Sequence, residues 1–131
     1  MRPIMIVDDD DEDLDMIKEA FSAIAVENPL VCFNEAKKAF EYLQGNERPL
    51  LILCDVNMPV ITGLDLQRMI HENEFIKKKS IPFYFLSTGR VEENKLKASR
   101  LGIRGFLKKP DSFNEMKRML EYIVDYCGGL A

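Results

Sequence analysis

The chain has 131 residues, 47% of them hydrophobic and 31% charged, with a formal net charge of −4. That length suits one domain whose core needs no covalent staples, and that balance excludes a disordered chain. No basic stripe dominates, which argues against a nucleic-acid binder, and no apolar run approaches the length that spans a bilayer. Pro3 to Val7 is a continuous apolar segment and predicts a buried strand. It runs into acid without the features of a secretory leader, so the expected compartment is the cytoplasm. From Asp10 to about Ala25, the residues Leu14, Ile17, Phe21 and Ile24 recur at 3,4,3 spacing and define a helix face. Leu30 to Phe33 is a second strand. Glu35 to Gln44 places Ala36, Ala39, Phe40 and Leu43 on one helical face, ended by Gly45-Asn46. Leu50 to Cys54 is a third, fully apolar strand. Met58-Pro59 and Gly63 mark a loop, after which Leu66, Met69 and Ile70 line a third helix. Phe83 to Leu86 is the fourth strand, entered through Pro82. Glu92 to Leu101 is a fourth helix with a thin apolar face, closed by Gly102. Gly105 to Leu107 is a short fifth strand. Phe113, Met116, Leu120, Ile123 and Cys127 form the stripe of a last helix.

Strands that alternate with helices predict an α/β fold with a parallel sheet covered on both faces, a three-layer (βα)5 sandwich. Right-handed crossovers leave few topologies, and the flavodoxin-like strand order 2-1-3-4-5 fits best. In such a sheet, ligands bind beyond the carboxyl ends of the strands, where the strand order reverses. Here that point lies between strands one and three. Strand one ends in Val7-Asp8-Asp9, strand three in Cys54-Asp55, strand four in Leu86-Ser87-Thr88, and strand five in Lys108-Lys109-Pro110. Three carboxylates, hydroxyls and an ammonium therefore converge on one crevice. Crowded carboxylates repel unless a cation compensates them, and a hard oxygen-ligated ion such as Mg2+ is the natural partner. With that ion and a lysine beside it, one carboxylate can attack phosphorus and form an aspartyl phosphate.

These motifs match a family. Ile6-Val7-Asp8-Asp9, Leu53-Cys54-Asp55-Val56-Asn57-Met58-Pro59 with Gly63, Leu86-Ser87, Gly102-Ile103-Arg104-Gly105-Phe106 and Lys108-Lys109-Pro110 occur in order along the chain. The whole of 1–131 resembles a single receiver domain of bacterial two-component response regulators, including the chemotaxis regulator and other stand-alone receivers. The resemblance supports the strand order and implies Asp55 as phosphoacceptor. It implies Mg2+ held by Asp9, Asp55 and the Asn57 carbonyl, with Asp8 reaching the ion through water. Ser87 would hydrogen-bond the transferred phosphoryl group, and Lys109 would pair with it. The Lys109–Pro110 bond is usually cis in that family. Phe106 stands at the position of the switch aromatic, which reshapes the surface of the fourth helix, fifth strand and fifth helix. The implied donor is a histidine kinase or histidine phosphotransfer protein. The implied reader is a downstream protein target, with a homodimer as a further possibility. Two positions depart from the pattern: Thr88 replaces a usually very small residue, and Gly89 offers no side chain to shield the phosphoryl group.

Two other functions fit particular residues less well. A Mg2+-dependent aspartate phosphohydrolase would want a second carboxylate where Asn57 stands, and it would want a cap domain. A phosphorylation-independent binding module would not need the full set of acids, Ser87 and Lys109. The expectation is therefore a signalling receiver rather than a metabolic enzyme, catalysing only its own phosphorylation and dephosphorylation. The 131 residues hold no DNA-binding or catalytic output module, which leaves output by protein contact or attachment to a longer protein. Cys32, Cys54 and Cys127 form no Cys-x-x-Cys pair, and the lone His71 reads as a surface residue. Asp10 to Asp13 reads as acid at a helix N-terminus, and Lys77-Lys78-Lys79 as a solvated turn. Met119, Tyr122 and Tyr126 form a second stripe on the last helix, either a shoulder of the core or a surface for a partner.

Overall fold

The structure is a computed structural model that describes residues 1–88, 100 and 102–130. Five parallel strands form one sheet: β1 (Ile4–Val7), β2 (Leu30–Phe33), β3 (Leu51–Asp55), β4 (Phe83–Ser87) and β5 (Gly105–Lys108). Their order is β2-β1-β3-β4-β5, the order that the family resemblance supports. The central strands β1, β3 and β4 are buried along their whole length, while the edge strands β2 and β5 are half-buried. That difference explains why the central runs are continuously apolar.

Strand alternation sorts the core into two layers. Ile4, Ile6, Leu51, Leu53, Tyr84 and Leu86 face one side. There α1 (Asp11–Ser22) and α5 (Phe113–Leu130) supply Leu14, Ile17, Phe21, Met116, Leu120 and Ile123. Met5, Val7, Ile52, Cys54, Phe83 and Phe85 face the other side, under α2 (Ala36–Leu43), α3 (Gly63–Glu72) and the four-residue α4 (Glu74–Lys77). Apart from residue 100, the helix expected over 92–101 lies outside the described residues. Gly102, expected to close it, has φ 73°, a left-handed conformation that glycine adopts without penalty.

Several local expectations need correction. α1 ends at Ser22, short of Ala25, yet Ile24 still packs on the core, so apolar spacing outruns the helix. α4 was not expected; the Asn73 side chain caps it by accepting from the Ile76 N–H. Lys79 is not a solvated turn residue. Its ammonium donates to the carbonyls of Leu43, Gly45 and Glu47 at 2.7, 2.6 and 2.8 Å, satisfying the open end of α2. Phe113, the first residue of α5, is 39% exposed and so does not join the core stripe. The second stripe divides. Met119 packs against the core, while Tyr122 and Tyr126 are exposed. No cis peptide bond occurs among the described residues, so Lys109–Pro110 is trans; trans is favoured in X–Pro bonds generally.

Candidate functional site

The registers set the site. Val7 pairs with Cys54, Asp55 with Leu86 and Ser87 with Lys108. The residues that follow β1, β3, β4 and β5 are therefore delivered to one rim of the sheet. Asp8 is fixed twice. Its N–H donates to the Phe33 carbonyl at 3.0 Å, and its Oδ1 accepts from the Asp10 N–H at 3.0 Å. Asp10 in turn caps α1, accepting from the N–H groups of Glu12 and Asp13. Asp55 is held from behind by Gly63, where a Cβ would run into the Asp55 carbonyl and the Phe85 ring. A capping box of Thr62 and Asp65 anchors the start of α3, and so fixes that close approach.

Carboxylate oxygens of Asp8, Asp9 and Asp55 all lie within 4.8 Å of one another. Asp8 and Asp55 are buried and Asp9 is exposed, so the cluster opens toward solvent on one side. Asn57 is exposed on the loop after β3, and its N–H donates to the Asp55 carboxylate. Ser87 is buried at the end of β4, and its carbonyl accepts from the Lys109 N–H at 2.9 Å. Thr88 beside it is exposed, while Gly89 lies outside the described residues. Phe106 is half-buried on β5, opposite Phe85, with ring centroids 5.4 Å apart.

Lys109 reaches into the cluster although it is only 6% exposed. Its Nζ donates to Asp8 Oδ2 at 2.8 Å and to Asp13 Oδ2 at 2.7 Å, and lies 3.6 Å from Asp55 Oδ1. Burial opposes its charge, but the hydrogen bonds to Asp13 and Asp8 outweigh burial and hold its pKa above the ordinary lysine value. Asp55 is pushed up to about 6, chiefly by burial; Lys109 offsets this, and repulsion from Asp8 and Asp9 adds to it. Asp8 is also raised, again chiefly by burial, with its bond to Lys109 pulling the other way. The hard oxygen donors, the crowding and the open side together fit a hard divalent cation.

Every site residue expected from the sequence is thus at this rim except Phe106, which lies behind it in the second core layer. Asp13 is the member that sequence reasoning missed. It looked like one more acid at a helix N-terminus. Its first-turn position beside the strand ends is the signal that would have marked it.

Residues 4–121 match the family model described as response regulator receiver domain. The chain is 27% identical over 122 residues to chemotaxis protein CheY1 of Helicobacter pylori, covering 92% of this chain and 95% of that protein. The phosphorylated cyanobacterial phytochrome response regulator RcpA superposes with a TM-score of 0.86 at 24% identity, covering 99% of this chain and 96% of the other. The Mn2+-bound form of response regulator Rcp1 superposes with a TM-score of 0.80 at 25% identity, covering 94% and 91%.

Proposed function

The chain belongs to the response regulator receiver domain family, and from that membership we propose that Asp55 is its phosphoacceptor. Receivers of this family are phosphoacceptor switches of two-component signalling, and this chain is such a signalling module. One observation carries the assignment to Asp55. It is the carboxylate that ends β3 with an ammonium 3.6 Å away and two further carboxylates beside it.

In the proposed reaction an Asp55 oxygen attacks phosphorus on a histidine kinase or histidine phosphotransfer protein. The bond from phosphorus to the donor histidine nitrogen breaks, and the phosphoryl group ends on Asp55. The chain's own part is positioning and charge compensation. Asp9, Asp55 and the Asn57 carbonyl would hold Mg2+, with Asp8 behind them, and the ion when bound supplies charge neutralisation for the phosphoryl oxygens. Lys109 compensates charge from the opposite side, and the Ser87 hydroxyl donates to a phosphoryl oxygen after transfer. At the same residues water attacks the phosphorus, the bond from phosphorus to the Asp55 oxygen breaks, and inorganic phosphate leaves with the carboxylate restored.

The output follows from packing. Phe106 pairs with Phe85, two residues before Ser87 on the same face of β4. Movement of Ser87 toward the phosphoryl group frees space that Phe106 fills. Phenylalanine has no hydroxyl to hold it outside, so packing alone drives the change. A downstream protein then reads the face of β5 and α5. The exposed Tyr122 and Tyr126 belong to that face and also suit self-association. We place the chain in the cytoplasm as one receiver domain over 1–131. Among the described residues no helix is long and apolar enough to cross a membrane.

Mass spectrometry after treatment with a small phosphodonor and Mg2+ tests the assignment. The chain should gain the mass of one phosphoryl group, and Asp55→Asn should abolish it. Equal yield at another acid in that variant overturns the assignment. Side-chain NMR of Phe106, with and without a phosphoryl mimic, tests the switch; an unchanged rotamer and surface in both states overturns it.

A further inference from the structure

The Lys109 ammonium makes its shortest contact with Asp13, at 2.7 Å, and reaches Asp55 only at 3.6 Å, beyond hydrogen-bond distance. Asp13 is outside the carboxylate cluster of Asp8, Asp9 and Asp55. It stands on the first turn of α1, its side chain 27% exposed, against 2% for Asp8. These facts give the two carboxylates different roles. Asp8 is locked by the Asp10 N–H and lies inside the crevice, so it keeps Lys109 near the reacting end of β3. Asp13 faces partly outward and can take water in place of the ammonium when that bond breaks.

An ammonium has three donors and no preferred plane, so it moves readily between acceptors. A phosphoryl group arriving on Asp55 brings new acceptor oxygens and more charge than the Asp13 carboxylate. To engage it, Lys109 must turn away from Asp13. We propose that Asp13 is a positioning residue that competes for Lys109, holding the ammonium back from Asp55 until a phosphoryl group displaces it. Asp13 therefore sets how far the site is poised for its ligand: the stronger its hold, the more of the phosphoryl-binding energy goes into releasing Lys109. This inference rests on the role of Lys109 given under the proposed function.

The test uses the full chain and beryllofluoride with Mg2+, a non-covalent phosphoryl mimic, read as its dissociation constant. Asp13→Asn removes the charge and leaves a weaker acceptor. It should tighten beryllofluoride binding by about tenfold, the scale of one charge-assisted hydrogen bond. Asp13→Glu, which keeps the carboxylate, should bind close to the parent. Asp11→Asn is the control for charge and helix dipole, since Asp11 shares the same turn, is exposed and makes no contact with Lys109 among the described residues. It should change binding less than twofold. In a Lys109→Met background Asp13→Asn should lose its effect, because the cycle removes the shared partner. In the metal-free protein the Lys109 ammonium 15N resonance should shift in Asp13→Asn and stay in Asp11→Asn. If Asp13→Asn is silent while Lys109→Met weakens binding, the competition is wrong and the role of Lys109 stands. Equal effects of Asp13→Asn with and without Lys109 make it a bulk charge effect and also overturn the proposal. If Lys109→Met binds beryllofluoride as the parent does, the underlying reading of Lys109 fails with it.

Discussion

Replacing Asp55 by Asn should stabilise the metal-free protein, and the gain should grow with pH. The Asp55 carboxyl is displaced from 3.8 to about 6 because it is buried among Asp8 and Asp9. Its folded pKa lies above its unfolded value, so the folded state binds the proton more tightly. The group's contribution to stability is full below about pH 4 and is lost as pH rises through about 6. At about 1.36 kcal/mol per pH unit, ionising it in the folded protein costs about 3 kcal/mol by pH 7.5. Asparagine carries no such charge. It also removes only the most distant of the three carboxylates around Lys109, leaving the bonds to Asp8 and Asp13 in place. Stability of Asp55→Asn minus that of the parent should therefore rise by about 3 kcal/mol between pH 4 and pH 7.5, read by urea unfolding in a chelator. For a chain of this size the gain corresponds to about 10 °C in Tm. Saturating Mg2+ should raise the parent more than the variant and shrink the difference. A difference that stays flat with pH would refute the electrostatic account, because only the ionisation of Asp55 makes it vary.

Asp9→Ala should also stabilise the metal-free protein, by less than Asp55→Asn because Asp9 is exposed, and should weaken Mg2+ binding; melts with and without Mg2+ check both. Gly63→Ala should destabilise by about 1–3 kcal/mol despite the better helix propensity of alanine, since its Cβ meets the Asp55 carbonyl; unfolding curves within 0.5 kcal/mol of the parent would show that α3 can shift away. Lys79→Met should cost about 2 kcal/mol by leaving the Leu43 carbonyl at the end of α2 and those of Gly45 and Glu47 after it without their donor, and amide exchange should rise first at Leu43 to Gly45.

The fold was legible because its signals are one-dimensional. A strand buried on both faces must be apolar at every position, and β1, β3 and β4 are. Asp8, Asp9 and Asp55 were legible because they sit at the ends of such strands, and Lys109 because it follows the last strand of the same parallel sheet, which has to bring those ends together. What the sequence hid are contacts between elements far apart in the chain. Lys79 reads as one of three lysines in a turn until the end of α2 is placed beside it. Asp13 reads as a helix-capping acid until β5 places Lys109 within 2.7 Å of it. In both cases the residue type was visible and its partner was not, since a charged residue within a charged run gives no periodic signal. The pKa of Asp55 shares that origin only in part. Burial at the end of an apolar strand is the largest cause of its displacement to about 6 and is legible in the sequence; the opposing pull of Lys109 and the added repulsion from Asp8 and Asp9 are contacts across the sheet. Lys109 thus answers to two acids at once. Asp8 ties it to the crevice and Asp13 draws it outward. On the competition proposed above, the ammonium answers a new anion on Asp55 only as its bond to Asp13 is released, while Asp8 keeps it in reach.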